Sequence, residues 1–149
     1  MPPPAPARQN PSLTLVRRLK APPARVYAAW TDPALMARWW GPDAGPVLSA
    51  EADVRPGGRF SVVFRTEDGG EHNCLGVYLE VAPNEKLAFT WRWVSMPERE
   101  SLVTVLLRPS DEGTELTLIH ERFFDEPARD RHREGWSGML GKLEALLLA

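Results

Sequence analysis

The sequence predicts one α+β domain: a seven-stranded curved antiparallel sheet, two short helices after the first strand, and a long C-terminal helix. Three observations predict it. Between Val47 and Phe123, short segments of alternating apolar and polar residues follow one another with turn residues between them. From Asp125 onward the period changes, and His132, Trp136, Met139, Leu140, Leu143, Leu146 and Leu147 recur at helical spacing. A chain of 149 residues fits a single core and divides poorly into two.

Composition narrows the functional classes. With 43% hydrophobic and 26% charged residues the balance is that of a globular protein rather than of a disordered one. A net charge of -2 argues against nucleic acid as a partner, because affinity for phosphates rests chiefly on Lys and Arg. The single cysteine, Cys74, has no internal disulfide partner. No apolar run approaches the ~20 residues that span a bilayer, and no apolar h-region follows Met1, so a cytoplasmic location is expected.

Residues 1–12 are rich in Pro and Ala and lack periodicity, which predicts a flexible tail ahead of a domain over 13–149. Strand one follows at Leu13 to Lys20, where Leu13, Leu15, Arg17 and Leu19 share a face. An arginine on an apolar face needs a counterpart: either a ligand's carboxylate or phenolate, or a buried acid such as Glu80. Pro22 and Pro23 stop the strand and open a helix over Ala24 to Trp30. Asp32 and Pro33 repeat the device for a second helix that ends at Trp39 and Trp40, before Gly41 and Pro42. That tryptophan pair reads as a core plug or as the rim of an opening.

Strands are expected at Val47 to Val54 and Arg59 to Thr66, joined through Arg55, Pro56, Gly57 and Gly58. Glu67, Asp68, Gly69 and Gly70 then turn the chain into a fourth strand near Glu71 to Val81. Both parities of this strand carry residues worth burying, and the sixth strand shares the ambiguity. Lys86 to Val94 places Leu87, Phe89, Trp91 and Trp93 on one face; Glu100 to Arg108 and Thr114 to Phe123 complete the meander. Asp125, Glu126 and Pro127 mark the start of the last helix. Gly135, Gly138 and Gly141 lie inside it, each costing roughly 1 kcal/mol against alanine. Close packing is the favoured reason, and room for a ligand the alternative.

The residues do not spell out a catalytic centre. The Gly135, Trp136, Ser137, Gly138 run lacks both the spacing and the strand-to-helix turn of a nucleophile elbow. The three helix glycines lack the preceding strand of a dinucleotide fingerprint, and no cofactor is expected. His72 and Cys74 share a strand face but have no second pair nearby, so no metal site is expected. His120 matches Leu116 and Leu118 in parity, which makes it a weak acid–base candidate or, more simply, a core histidine hydrogen-bonded to a neighbour.

The order β, α, α, six strands and a long helix resembles the START-like, or birch-pollen-allergen-like, superfamily with its helix-grip fold. Arg17, Ala21, Pro22, Val26, Trp30, Thr31, Asp32, Pro33, Trp39, Trp40, Gly41 and Pro42 look like the opening motif of one bacterial family in it. That family is named after the activator of the ninety-kilodalton heat-shock protein's ATPase. The likeness continues through Asp53, Arg55 to Gly58, Gly76, Tyr78, Glu80, Pro83, Gly113, Thr114, Leu116, Thr117, His120, Gly135, Trp136, Leu140 and Leu143.

The resemblance implies a cavity between sheet and C-terminal helix that binds a hydrophobic or amphipathic small molecule. The expected lining is Arg17, Trp39, Phe60, Tyr78, Trp91, Trp93, His120 and Trp136. It also implies two alternatives: a polyketide-cyclase- or hydrolase-like enzyme using His120, and a chaperone-interacting protein of the stress response. Homodimerisation is a further expectation taken from the family.

Overall fold

In the computed structural model, residues 10–148 are described. The expected flexible tail lies mostly outside the described residues; Pro11 already accepts a hydrogen bond from the Phe123 amide (3.2 Å), just ahead of the first strand.

The described chain runs β1 (Leu13–Leu19), α1 (Pro23–Thr31), α2 (Pro33–Met36), β2 (Val47–Ala52), β3 (Arg59–Arg65), β4 (Glu71–Ala82), β5 (Lys86–Trp93), β6 (Met96–Ser110), β7 (Gly113–Glu121) and α3 (Glu126–Leu148). The strands form one antiparallel sheet in the order β1-β7-β6-β5-β4-β3-β2. Five short connections build the meander β2 to β7, and the two helices carry the chain from β1, paired with β7 at one edge, across to β2 at the other.

Local chemistry sets the boundaries. Pro22 and Pro23 start α1 where a missing N–H costs nothing. Asp32 ends it because the residue before Pro33 is pushed into extended backbone, and its carboxylate accepts from the Ala34 amide (3.0 Å) to cap α2. The second helix is shorter than the sequence predicts. It stops at Met36 and continues as turns to Trp40, because Gly41 at φ 94° leads the chain away. Strand β6 in turn begins at Met96, earlier than predicted, since Trp93 pairs with Met96 across a tight turn that its polar sequence does not announce.

Register decides the two ambiguous strands. On β4 the face of Cys74, Gly76 and Tyr78 turns inward, and a bulge between Tyr78 and Glu80 sends Leu79 to solvent. On β6, Ser101, Val103, Val105 and Leu107 turn inward. Glycine is required at position 76, because a Cβ there would sit 1.9 Å from the Thr90 carbonyl oxygen of β5.

Helix α3 closes the core against the inner face of the sheet. Asp125 caps it by accepting from the Ala128 amide (2.8 Å). Trp136, Met139, Leu140, Leu143 and Leu147 are buried along one stripe, each large apolar side chain contributing roughly 1.5–3 kcal/mol on removal from water.

Candidate functional site

All six tryptophans gather between α1, α2, the inner sheet face and α3. Trp30 meets Trp39 edge-on with centroids 4.7 Å apart and lies against Trp136 at 5.9 Å. Trp40 stacks on Trp91 at 5.8 Å, and Trp91 touches Trp136 at 5.0 Å and Trp93 at 5.6 Å. Such pairs add about 0.5–1.5 kcal/mol beyond burial and fix ring orientation. The middle of the space between sheet and helix is therefore filled.

Two histidines lock this layer together. The Trp136 indole donates to His120 Nδ1 (2.9 Å), so the ring proton sits on Nε2 and donates to Ser101 Oγ (2.7 Å), which donates onward to the Trp91 carbonyl (3.3 Å). The Trp93 indole donates to His132 Nε2 (3.0 Å), leaving His132 Nδ1–H to donate to the Ala128 carbonyl (2.7 Å). Burial holds His120 well below the usual imidazole pKa, and the nearby His132 lowers it further. Burial lowers His132 too, against the raising effect of its bond to Ala128. Both rings are neutral hydrogen-bond connectors at pH 7.

Beyond this layer, toward the N-terminal half of α3, the structure opens into a groove of about 870 Å³. Trp91, Trp93 and Trp136 line its floor together with Trp40 and Phe64. Its walls are the β5–β6 hairpin, the β3–β4 turn, the Phe123–Phe124 corner and α3 from Ala128 to Met139. The buried indole N–H groups of Trp30, Trp40 and Trp91 have no acceptor among the described residues.

One wall is pinned in place. Lys142 Nζ donates to the carbonyls of Trp40 (2.9 Å) and Asp43 (2.7 Å), and burial lowers its pKa. The Asp43 carboxylate accepts from the amides of Gly45 and Glu67, tying the α2–β2 loop to the β3–β4 turn; those bonds hold its pKa down. The helix glycines divide between the two reasons the sequence offers. A Cβ at Gly138 would lie 2.2 Å from the Pro42 carbonyl oxygen, so this one serves packing, whereas Gly135 faces the groove with Pro42 Cβ 3.9 Å away. Gly141 has nothing within 4 Å.

Of the eight residues that the sequence analysis names as lining, Trp91, Trp93 and Trp136 come together at the groove. Trp39, Phe60, Tyr78 and His120 are absent from its lining and lie in the filled layer behind it. Trp39 spends its indole N–H on the Ala29 carbonyl (2.9 Å). Both ring nitrogens of His120 are engaged, so proton transfer there would first break a buried hydrogen bond. Arg17 lies on edge strand β1, half-buried, and donates to the Val16 carbonyl (2.9 Å). Glu80 is not its partner. Strands β7, β6 and β5 separate β1 from β4, and Glu80 pairs with Lys86 at 2.9 Å.

Cys74 is fully buried and His72 exposed, so the two do not converge, and no group of three or more metal-ligating side chains occurs among the described residues. Ser137 is on the exposed face of α3, donating to the Arg133 carbonyl (2.8 Å). No helix among the described residues is long and apolar enough to cross a membrane. His132, one turn before Trp136 on the apolar stripe of α3, was legible as a site residue from its spacing. Arg99, which lines the groove near the start of β6, sits by contrast in a polar stretch with no period to mark it.

Comparison with known proteins places this geometry. The pattern of the family described as activator of Hsp90 ATPase homolog 1-like protein matches residues 20–148. The mouse activator of 90 kDa heat shock protein ATPase homolog 1 is 30% identical over 125 residues, 83% of this chain and 33% of that protein. The chain spans 26% and 33% of the length of two curated relatives it matches. A solved structure from Chromobacterium violaceum is 32% identical with a TM-score of 0.83, covering 91% of this chain and 96% of that one. Another, an AHSA1 protein from Silicibacter pomeroyi, is 30% identical with a TM-score of 0.81, covering 93% and 98%.

Proposed function

The chain belongs to the activator of Hsp90 ATPase homolog 1-like family, and from that membership we propose that it holds a hydrophobic or amphipathic small molecule in the groove beside α3. The observation that carries the reading is the groove itself: about 870 Å³, within the range of small-molecule sites, with tryptophans on its floor and one wall pinned by Lys142. Trp93, half-buried, supplies apolar contact over the buried Trp91 and Trp136, and His132 orients it.

Titration with N-phenyl-1-naphthylamine, a neutral aromatic probe, tests this. Binding in the groove gives saturable quenching of tryptophan emission at one equivalent and a raised melting temperature. Absence of saturable quenching contradicts it.

A second reading has its own support in the mouse relative, whose name assigns it to activation of a 90 kDa heat shock protein ATPase. Under that reading the chain docks on such a chaperone. Added in stoichiometric amount it would raise the chaperone's ATP turnover, and an unchanged turnover would remove the reading.

A further inference from the structure

The charged residues around the groove, Glu134 beside Arg131 apart, are sorted by end. Asp43 and Asp68 lie at the end formed by the α2–β2 loop and the β3–β4 turn, and both are occupied: Asp43 by the Gly45 and Glu67 amides, Asp68 by the Thr66 hydroxyl and the Gly70 amide. The opposite end, where β6 begins and α3 starts, carries Arg99 and Arg131. The Arg99 guanidinium lies over the Phe124 ring, its Cζ 4.0 Å from the centroid. No ion pair forms at either arginine among the described residues, whose ion pairs all lie elsewhere. Glu134, one turn beyond Arg131 on α3, is exposed and pairs with neither.

Two guanidiniums without counter-ions therefore stand at one mouth of a groove floored by flat aromatic rings. Guanidinium is the group best shaped to take a two-oxygen anion bidentately, and that of Arg99 rests on Phe124. Resting on the reading of the groove as a small-molecule site, we infer that its ligand is a flat aromatic anion. The carboxylate or sulfonate meets Arg99 and Arg131, and the ring system lies against Trp93, with Trp91 and Trp136 beneath.

The test compares two probes with one aromatic body, 1-anilinonaphthalene-8-sulfonate and the uncharged N-phenyl-1-naphthylamine, on the full chain. Arg99→Gln combined with Arg131→Gln should weaken the sulfonate about tenfold while leaving the neutral probe within about twofold, since each partly exposed ion pair contributes modestly. Raising the salt concentration on the unaltered protein should likewise weaken the sulfonate alone. Parallel changes in both probes, or an unaltered sulfonate affinity, would overturn the assignment of the anion while leaving the groove reading intact. Failure of both probes to bind the unaltered protein would overturn the groove reading and this inference together.

Discussion

Alanine at position 138 should destabilise the protein, although glycine is the poorer helix former. The alanine Cβ would lie 2.2 Å from the Pro42 carbonyl oxygen and 3.2 Å from its carbon. Carbon and carbonyl oxygen approach no closer than roughly 3.3 Å even in favourable contacts, so about 1 Å of separation is required. Pro42 has little freedom to move. Lys142 holds the carbonyls on either side of it, the Asp43 carboxylate bridges onward to Glu67, and Gly41 packs on the Phe64 ring, 3.3 Å from where its own Cβ would be. Overpacking of this kind costs about 1–3 kcal/mol, against a helix-propensity gain of about 1 kcal/mol. The net loss is up to about 2 kcal/mol, or a fall of up to about 8 °C in melting temperature for a domain of this size. Gly141→Ala is the matched control: nothing lies within 4 Å, so it keeps the propensity gain and raises the melting temperature by about 2–4 °C. Urea and thermal unfolding of the two variants, followed by circular dichroism, measure both numbers. A Gly138→Ala variant as stable as Gly141→Ala would refute the reasoning.

Two further outcomes follow from the buried histidines. His120 and His132 both have folded pKa values below the ordinary 6.5, so below that pH the unfolded chain binds protons that the native state does not. Their contribution is fully present above pH 6.5 and falls as pH drops, by up to about 1.4 kcal/mol per pH unit for each ring inside its window. Urea midpoints between pH 7.5 and pH 5 read this directly, and His120→Gln should flatten the slope; an equally steep slope in that variant would contradict it. Ser101→Ala leaves His120 Nε2–H without its acceptor at a site with no solvent exposure, and should cost about 1–3 kcal/mol of unfolding free energy. An unchanged midpoint would show that the hydrogen bond contributes nothing.

The fold was legible because its signals are local and agree with one another. Alternation marks the strands, Asp-Pro and Pro-Pro mark both helix starts, and the stripe from Trp136 to Leu147 marks α3. What stayed hidden depends on pairing. The inward face of β4 is set by its register with β5 and by the bulge after Tyr78, which no pattern within β4 reveals, since Leu75 and Val77 are as apolar as Cys74 and Gly76. The early start of β6 at Met96 rests on pairing with Trp93 rather than on propensity. At the site, the tryptophans of β5 and α3 were readable as one surface because their faces were. Parity alone could not distinguish residues that line an opening from residues one layer behind it, and so His120, Phe60 and Tyr78 share a face with the groove's floor without reaching it. Arg17 shows the same limit across the sheet, where same-face placement on an edge strand led only to its own backbone.

The measurement that bears most directly on the groove fills it. Gly135 lies on its lining with only Pro42 Cβ near, at 3.9 Å, so phenylalanine there can occupy the groove without the backbone clash found at Gly138. Titrated with N-phenyl-1-naphthylamine, the unaltered protein should bind one equivalent, and Gly135→Phe should bind at least about tenfold more weakly while melting no lower. Equal affinity in the two proteins would place the probe elsewhere and contradict the account.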